Sequence, residues 1–295
     1  MSPRTATRAA AAPVLLVRRY PLGSFVALAC LFGWAIWIGV ILSGGTGGGN
    51  LPLGPVVAAF VVTSCQGRDE LRSWGRQLLD WRAGARWYLL AALAPVALHV
   101  LIVLVNHLLG APLPTPDQLA GWTQVPITFV VLLVLIGIGE EAGWTAFAAP
   151  VLLRRHGLVI AWLLASAMRI FWHLPLMLHG DLPWAVGVAG NAAFTMVTLL
   201  LLLASGGHWT LAAVWHAMLN AVGSAFFFTM VGGADKDRLD LLLVCVYVAV
   251  AVTAYAVWTH RRPRHAPRPA PPTGVDVRRP DEGSDDVDRR AKAHL

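Results

Sequence analysis

The sequence predicts an all-α fold, a polytopic bundle of about eight transmembrane helices. Hydrophobic residues make up 57% of the chain and charged residues only 13%, whereas an ordinary globular domain carries about 25% charged residues. Mean hydropathy is +0.62. Only helices and closed barrels satisfy the backbone in lipid, and the apolar runs are too long and continuous for barrel strands. The chain is therefore predicted to be an integral membrane protein without a separate soluble domain.

The apolar runs define the predicted spans. Because a helix needs about 20 residues to cross a bilayer, the 295 residues accommodate eight spans with short connections. The second run is short and Pro-rich, and the fourth is overlong. The spans are predicted at residues 22–42, 51–65, 87–109, 125–153, 158–178, 184–204, 209–231 and 239–259. They divide the chain into an N-terminal tail (1–21), a membrane domain (22–259) and an Arg-, Pro- and Asp-rich tail (260–295) that we expect to be disordered.

Lys and Arg indicate the orientation. The net charge of +7 is concentrated in particular loops and tails, so it does not form a surface suited to nucleic acid. With an even number of spans, all the clusters fall on one side, which the positive-inside rule assigns to the cytoplasm. The clusters are Arg4, Arg8, Arg18 and Arg19; Arg68, Arg72, Arg76, Arg82 and Arg86; Arg154 and Arg155; and Arg261, Arg262, Arg264 and Arg268. We predict a multi-pass protein of the cell membrane with both termini cytoplasmic.

This topology predicts the behaviour of a reporter fused after residue 260. A fluorescent protein that folds only in the cytoplasm should be active there, because the last Arg cluster holds that end inside. Alkaline phosphatase at the same position should be inactive, and an active phosphatase fusion would contradict the eight-span topology.

Residues 66–86 mix Arg, Asp and Glu with apolar residues at near-helical spacing. This pattern predicts an amphipathic helix on the cytoplasmic leaflet, with a solvated charged loop as the alternative.

Glu140 and Glu141 are adjacent within the apolar run 125–153. A charged side chain at bilayer depth costs about 2.5–3.5 kcal/mol by insertion scales, so an ionisable pair there indicates a functional site. The structural alternative is a buried ion pair with Arg169, another charge inside an apolar span.

Other strong polar groups occur in later spans: His173, and His216 with Asn220. Four residues apart on a helix, His216 and Asn220 share one face and can act on one ligand. Interhelical hydrogen bonding is the structural alternative. Counting along each span at about 1.5 Å per residue puts Glu140 and His173 at similar depth, with His216 and Asn220 somewhat shallower.

A carboxylate, two imidazoles and a carboxamide in one cavity could hydrolyse an amide. Glu can take a proton from water, and His can orient the water or shuttle the proton. A second His with Asn can hold the developing oxyanion. Glu with two His is also the ligand set of some catalytic zinc sites. The residues alone leave both chemistries open.

Three ordered motifs carry a family resemblance: EEAGWTAFAAPVLLRRHG, FWHLPLMLHG and WHAMLNA. The chain resembles, over most of residues 22–259, the CPBP family of intramembrane proteases, which includes the CAAX prenyl endopeptidase and bacteriocin-processing or Abi-like immunity proteins. The resemblance implies that Glu140 activates water with help from His173, and that His216 and Asn220 stabilise the oxyanion. Members have been treated both as zinc enzymes and as metal-free glutamate proteases, so no cofactor is assigned with certainty and zinc stays open.

Two positions depart from the family pattern. The family's EExxxR motif has Thr145 at its Arg position, and its FxxxH motif has Arg169 at its Phe position. Together they suggest that Arg169 supplies the positive charge that the family pattern has at position 145. Arg169 would then pair with Glu141, and both would be supporting residues of the site.

The sequence thus predicts an intramembrane endopeptidase that hydrolyses a peptide bond of a membrane-associated protein or peptide by Glu-activated water. Its partners would be that substrate, entering within the membrane, and the lipid bilayer, with no nucleic acid. Two alternatives remain: a catalytically degenerate membrane scaffold or immunity protein of the same family, and a proton-coupled transporter, since buried Glu and His also serve proton relays.

Overall fold

The computed structural model describes residues 12–45 and 49–261, so the first eleven residues and most of the predicted C-terminal tail lie outside it. The described residues form helices without a β-strand, which confirms the all-α prediction. The helices are α1 (Ala12–Arg19), α2 (Pro21–Gly33), α3 (Ala35–Leu42), α4 (Gly54–Gln66), α5 (Arg68–Leu78), α6 (Ala85–Leu108), α7 (Pro116–Ala120), α8 (Val125–Leu132), α9 (Gly139–Gly143), α10 (Ala149–Trp172), α11 (Leu174–His179), α12 (Asn191–Ala204), α13 (Thr210–Val222) and α14 (Gly233–Arg261). Short π-helical turns span Leu133–Ile138, Trp144–Ala148 and Val186–Gly190, and 3-10 turns span Gly121–Gln124 and Phe227–Thr229.

The predicted count of eight spans is not confirmed. In the described part of the chain, five helices are long and apolar enough to cross a membrane, or six if α1 and α2, bent by 111°, count as one span. The second predicted span corresponds to α4, whose 13 residues rise only about 20 Å against a hydrocarbon thickness of about 30 Å. The first predicted span is interrupted at Trp34, between α2 and α3.

The fourth and fifth predicted spans form one apolar helical run of 57 residues, Pro116–Trp172. Its backbone leaves the helical conformation at Gly157, where φ is 72° and ψ is 176°. A positive φ is strained for residues with a Cβ, so a glycine allows the chain to turn here. The break falls close to the predicted boundary between the two spans.

The predicted amphipathic helix is confirmed as α5, which buries Trp74 and exposes Arg72 and Arg76. The Trp74 indole N–H donates to the carbonyl of Ala142, 3.3 Å away. Since Ala142 directly follows the Glu pair, α5 packs against the helix that carries it.

The end of α1 contacts the end of α4, directly before α5. Arg18 Nε, at the end of α1, donates to the carbonyl of Cys65 at 2.6 Å, one turn before Arg68 begins α5. The orientation of this end relative to the membrane stays a prediction.

The short helix α9 lies at the centre of the bundle. It packs against α4 and α13, while α12 packs against α10 and α14. A Cβ at Gly143 would lie 2.5 Å from the carbonyl oxygen of Pro55, so only glycine permits this close approach to α4. On the outside of the bundle, α6 exposes a row of large apolar side chains, as a lipid-facing helix does: Leu89, Leu90, Leu93, Leu101 and Leu104.

Candidate active site

The residues predicted to be catalytic line a single cavity of about 400 Å³: Glu140, His173, His216 and Asn220. Glu140 comes from α9, His173 from the junction of α10 and α11, and the other two from α13. The four side chains therefore lie around one cavity, while their roles as site residues stay predictions.

Glu141 is fully buried behind the cavity and holds a network of hydrogen bonds. Its Oε1 accepts from Arg169 Nη1 at 2.8 Å and from His216 Nδ1 at 2.8 Å. Its Oε2 accepts from Arg169 Nη2 at 3.0 Å and from Thr145 Oγ1 at 2.5 Å. A carboxylate offers about four lone-pair sites, so Glu141 has no acceptor capacity left for substrate or water.

The predicted pairing of Arg169 with Glu141 is confirmed as a bidentate ion pair. The guanidinium carbon of Arg169 also lies 5.5 Å from the ring centre of Trp144 and 4.9 Å from that of Phe194. Such cation–π contacts favour a desolvated cation. Arg169, only 2% exposed, is thus neutralised and enclosed inside the bundle.

Glu140 has a different environment from its neighbour. It faces the cavity, and its Oε2 is buried without a hydrogen-bond partner among the described residues. The nearest ion-pair contact of Oε2 is Arg169 Nη1 at 3.9 Å, beyond hydrogen-bonding distance. Glu140 therefore keeps acceptor capacity, where Glu141 has none.

The backbone around the pair departs from regular α-helix. Helix α9 has five residues and lies between the π-helical turns Leu133–Ile138 and Trp144–Ala148. Such turns are rare and occur frequently at functional sites. The local winding sets where Glu140 and Glu141 point relative to the apolar faces of the longer run.

His173 is held by its own backbone and by neighbouring groups. Its Nδ1 lies 2.8 Å from the carbonyl of Arg169, so the Nδ1–H tautomer donates there and Nε2 is the ring acceptor. The preceding carbonyl, that of Trp172, accepts from Trp34 Nε1 at 2.8 Å and from Asn50 Nδ2 at 2.7 Å. These bonds fix the α10–α11 junction that positions the imidazole.

His216 and Asn220 share one face of α13, as their spacing predicted. The Nδ1 of His216 contacts Glu141, and its ring packs 4.6 Å from that of Phe194. Asn220 Nδ2 donates to the His216 carbonyl at 3.1 Å, and its Oδ1 lies 3.5 Å from Ser224 Oγ. These contacts hold the His216 ring in place. Its Nδ1 is bonded to Glu141, and Nε2 is the ring nitrogen that Glu141 does not bind.

A metal site can be tested on the donors present. Among the described residues, Glu140, Glu141 and His216 have candidate ligand atoms within 4.8 Å of one another. The lone pairs of Glu141 are already used, and His216 Nδ1 is engaged with Glu141. The Arg169 cation lies 3.9 Å from Glu140. This trio therefore does not present the three available protein ligands of a catalytic zinc site.

Comparison with known families agrees with this geometry. Residues 121–222, about a third of the chain, match the family model described as type II CAAX prenyl endopeptidase Rce1-like. This segment is similar to the Rce1-like family. It begins at the turn before α8, ends with α13, and contains all four of the cavity residues predicted to be catalytic. The match is consistent with the CPBP intramembrane proteases and confirms the predicted resemblance. None of the curated proteins matches the chain.

Because the Rce1-like family is a protease family, the match supports an endopeptidase. The apolar helices and the family together indicate a multi-pass membrane protein.

Sequence reasoning missed three residues that belong to the site. Asn50 and Tyr247 line the cavity, and Phe194 lies between Arg169 and His216. The signal for Tyr247 was available, because its hydroxyl is a polar group inside an apolar span. Phe194 is one of many apolar residues in its span, and nothing in the sequence distinguishes it.

Proposed function

We propose that the protein is a CAAX-type intramembrane endopeptidase in which Glu140 activates the attacking water. The observation that carries this proposal is the contrast between the two adjacent carboxylates. Glu141 is saturated by Arg169, Thr145 and His216, whereas Glu140 lines the cavity and has an oxygen without a hydrogen-bond partner in the described part of the chain. A general base must reach the water whose proton it takes.

In the proposed reaction, the water oxygen attacks the peptide carbonyl carbon as its proton passes to Glu140. His173 orients the water through the Nε2 that its backbone contact leaves as acceptor. When the C–N bond breaks, Glu140 returns the proton to the departing amine nitrogen. The products are a carboxylic acid, which keeps the second proton of the water, and an amine, and Glu140 regains its starting charge.

The oxyanion would be stabilised from α13. A His216 protonated on both nitrogens donates Nδ1–H to Glu141 and Nε2–H to the oxyanion, with the second amide N–H of Asn220 beside it. The two carboxylates are then balanced by the Arg169 guanidinium and the His216 imidazolium. Such a neutral cluster limits the cost of burying charge in the bilayer.

A hydrolysis assay tests this function. The purified protein is reconstituted in proteoliposomes and given an internally quenched peptide with a prenylated cysteine in a C-terminal CAAX sequence. We expect cleavage that persists in EDTA and 1,10-phenanthroline, because in the proposed mechanism Glu140 itself activates the water. The control is the same peptide without the prenyl chain, which should be cleaved more slowly since it is less concentrated in the membrane.

Two outcomes would contradict the proposal. Activity lost in chelator and restored by Zn²⁺ would replace the metal-free mechanism with a zinc mechanism. Absence of cleavage of both peptides would remove the proposed substrate class.

A further inference from the structure

Tyr247 lines the cavity and carries a hydroxyl that the proposed mechanism does not use. It lies on α14, four residues after Leu243, and both side chains line the cavity. The residue is 2% exposed, and its hydroxyl has no hydrogen-bond partner among the described residues. A buried hydroxyl without a partner is unfavourable, so its presence calls for a physical reason.

The neighbours of Tyr247 hold its ring without satisfying its hydroxyl. The Trp215 ring packs edge-on at 6.4 Å between ring centres, and the His99 ring at 6.5 Å. His99 uses its Nδ1 in a bond to the carbonyl of Pro95, 2.7 Å away. The tyrosine is therefore oriented by aromatic packing.

Other polar groups of the cavity are already engaged within the protein. His173 and His216 each use Nδ1, and Asn220 uses one amide N–H. The Oδ1 of Asn50, on the same cavity, is buried and also without a partner in the described part of the chain. Besides the groups used in the proposed mechanism, the residues that line the cavity thus include a neutral donor and a neutral acceptor without partners, which match the C=O and N–H groups of a peptide backbone.

We propose that the Tyr247 hydroxyl binds the substrate, donating a hydrogen bond to a backbone carbonyl of the bound peptide. The inference rests on the proposed function in taking the ligand to be a peptide. A neutral acceptor suits this position because Tyr247 brings no charge, and its neighbour Leu243 is apolar.

The test compares Tyr247→Phe with Tyr255→Phe, which removes a hydroxyl from the same helix outside the cavity lining. Binding of a fluorescent prenylated CAAX peptide to nanodisc-embedded protein is measured by anisotropy in the Glu140→Gln background, so that hydrolysis does not interfere. Loss of one neutral hydrogen bond should raise Kd about three- to tenfold for Tyr247→Phe. Tyr255→Phe should leave Kd unchanged. With Glu140 present, Tyr247→Phe should raise KM by a similar factor and keep kcat.

The melting temperature separates binding from a structural role. Tyr247→Phe removes an unpaired buried hydroxyl, so it should melt at the same temperature or higher. An unchanged Kd, a lowered melting temperature without a change in Kd, or no peptide binding at all would overturn the inference.

The two proposals fail in different ways. A Kd that depends on Tyr247 in a protein that never cleaves the peptide would support the binding role and reject the protease function. Cleavage with a Kd that ignores Tyr247 would reject only the binding role.

Discussion

Replacing Glu140 by Gln is expected to reduce the rate of peptide hydrolysis by about 10²- to 10⁴-fold, the range that general-base catalysis contributes. Gln keeps the shape of the side chain but cannot take a proton from water. The variant should fold normally, because the Oε2 of Glu140 makes no hydrogen bond among the described residues. The measurement is kcat in proteoliposomes, together with thermal melting of the detergent-solubilised protein.

Glu141→Gln is the matched control, since it makes the same chemical change one residue along the chain. This substitution removes a carboxylate that pairs with Arg169 and accepts hydrogen bonds from Thr145 and His216. Gln cannot accept hydrogen bonds at both of its terminal atoms, because the amide nitrogen that replaces one carboxylate oxygen is a donor. We therefore expect Glu141→Gln to lower the melting temperature clearly, whereas Glu140→Gln changes mainly the rate.

The reverse result would reassign the pair. If purified Glu140→Gln retained activity while Glu141→Gln was stable and inactive, Glu140 would be removed from the mechanism. If both variants retained activity, the proposal of a glutamate base would be wrong.

The convergence of the site was predictable because each component carries a large energetic cost. A carboxylate pair, a histidine and a His–Asn pair inside apolar runs are expensive unless they meet, and each occurs in a recognisable motif. The same reasoning predicted the contact of Arg169 with Glu141. In both cases the argument needed only residue type and depth, which a sequence shows.

The different hydrogen-bonding environments of Glu140 and Glu141 could not be predicted in the same way. Adjacent residues on a helix point about 100° apart, so their environments depend on how α9 is wound and on what packs against each side. The π-helical turns on either side of α9 have no sequence signature comparable to a Gly or Pro. The span count has a different limit: the run at 51–65 was counted for its apolar character although it is short, and its helix α4 has only 13 residues.

Arg169→Ala is expected to destabilise the bundle by roughly 3–5 kcal/mol, the usual cost of breaking a buried ion pair by removing one partner. The substitution leaves Glu141 buried and without its bidentate donor. It also removes the cation between the rings of Trp144 and Phe194. The free energy of unfolding is measured by denaturant titration in mixed micelles, with the exposed Arg72→Ala as a control that should have little effect.

The double variant Thr145→Arg with Arg169→Phe should recover much of this loss. Position 145 lies four residues after Glu141, and Thr145 Oγ1 already contacts Glu141 Oε2, so a longer side chain there starts on the correct face. A phenyl ring at 169 would enter a site now bordered by Trp144 and Phe194. Thr145→Arg alone should destabilise, because it places a second guanidinium beside Arg169.

A double-mutant cycle over these variants measures the coupling between positions 145 and 169. If the positive charge has moved from position 145 to position 169, the double variant will be more stable than the sum of the two single effects predicts. The expected difference is about 1 kcal/mol or more, the size typical of residues that share a buried partner. Additive effects would show that Thr145 and Arg169 changed independently. In that case the departures from the EExxxR and FxxxH patterns would not compensate each other, and a catalytically degenerate member would become the better description of the chain.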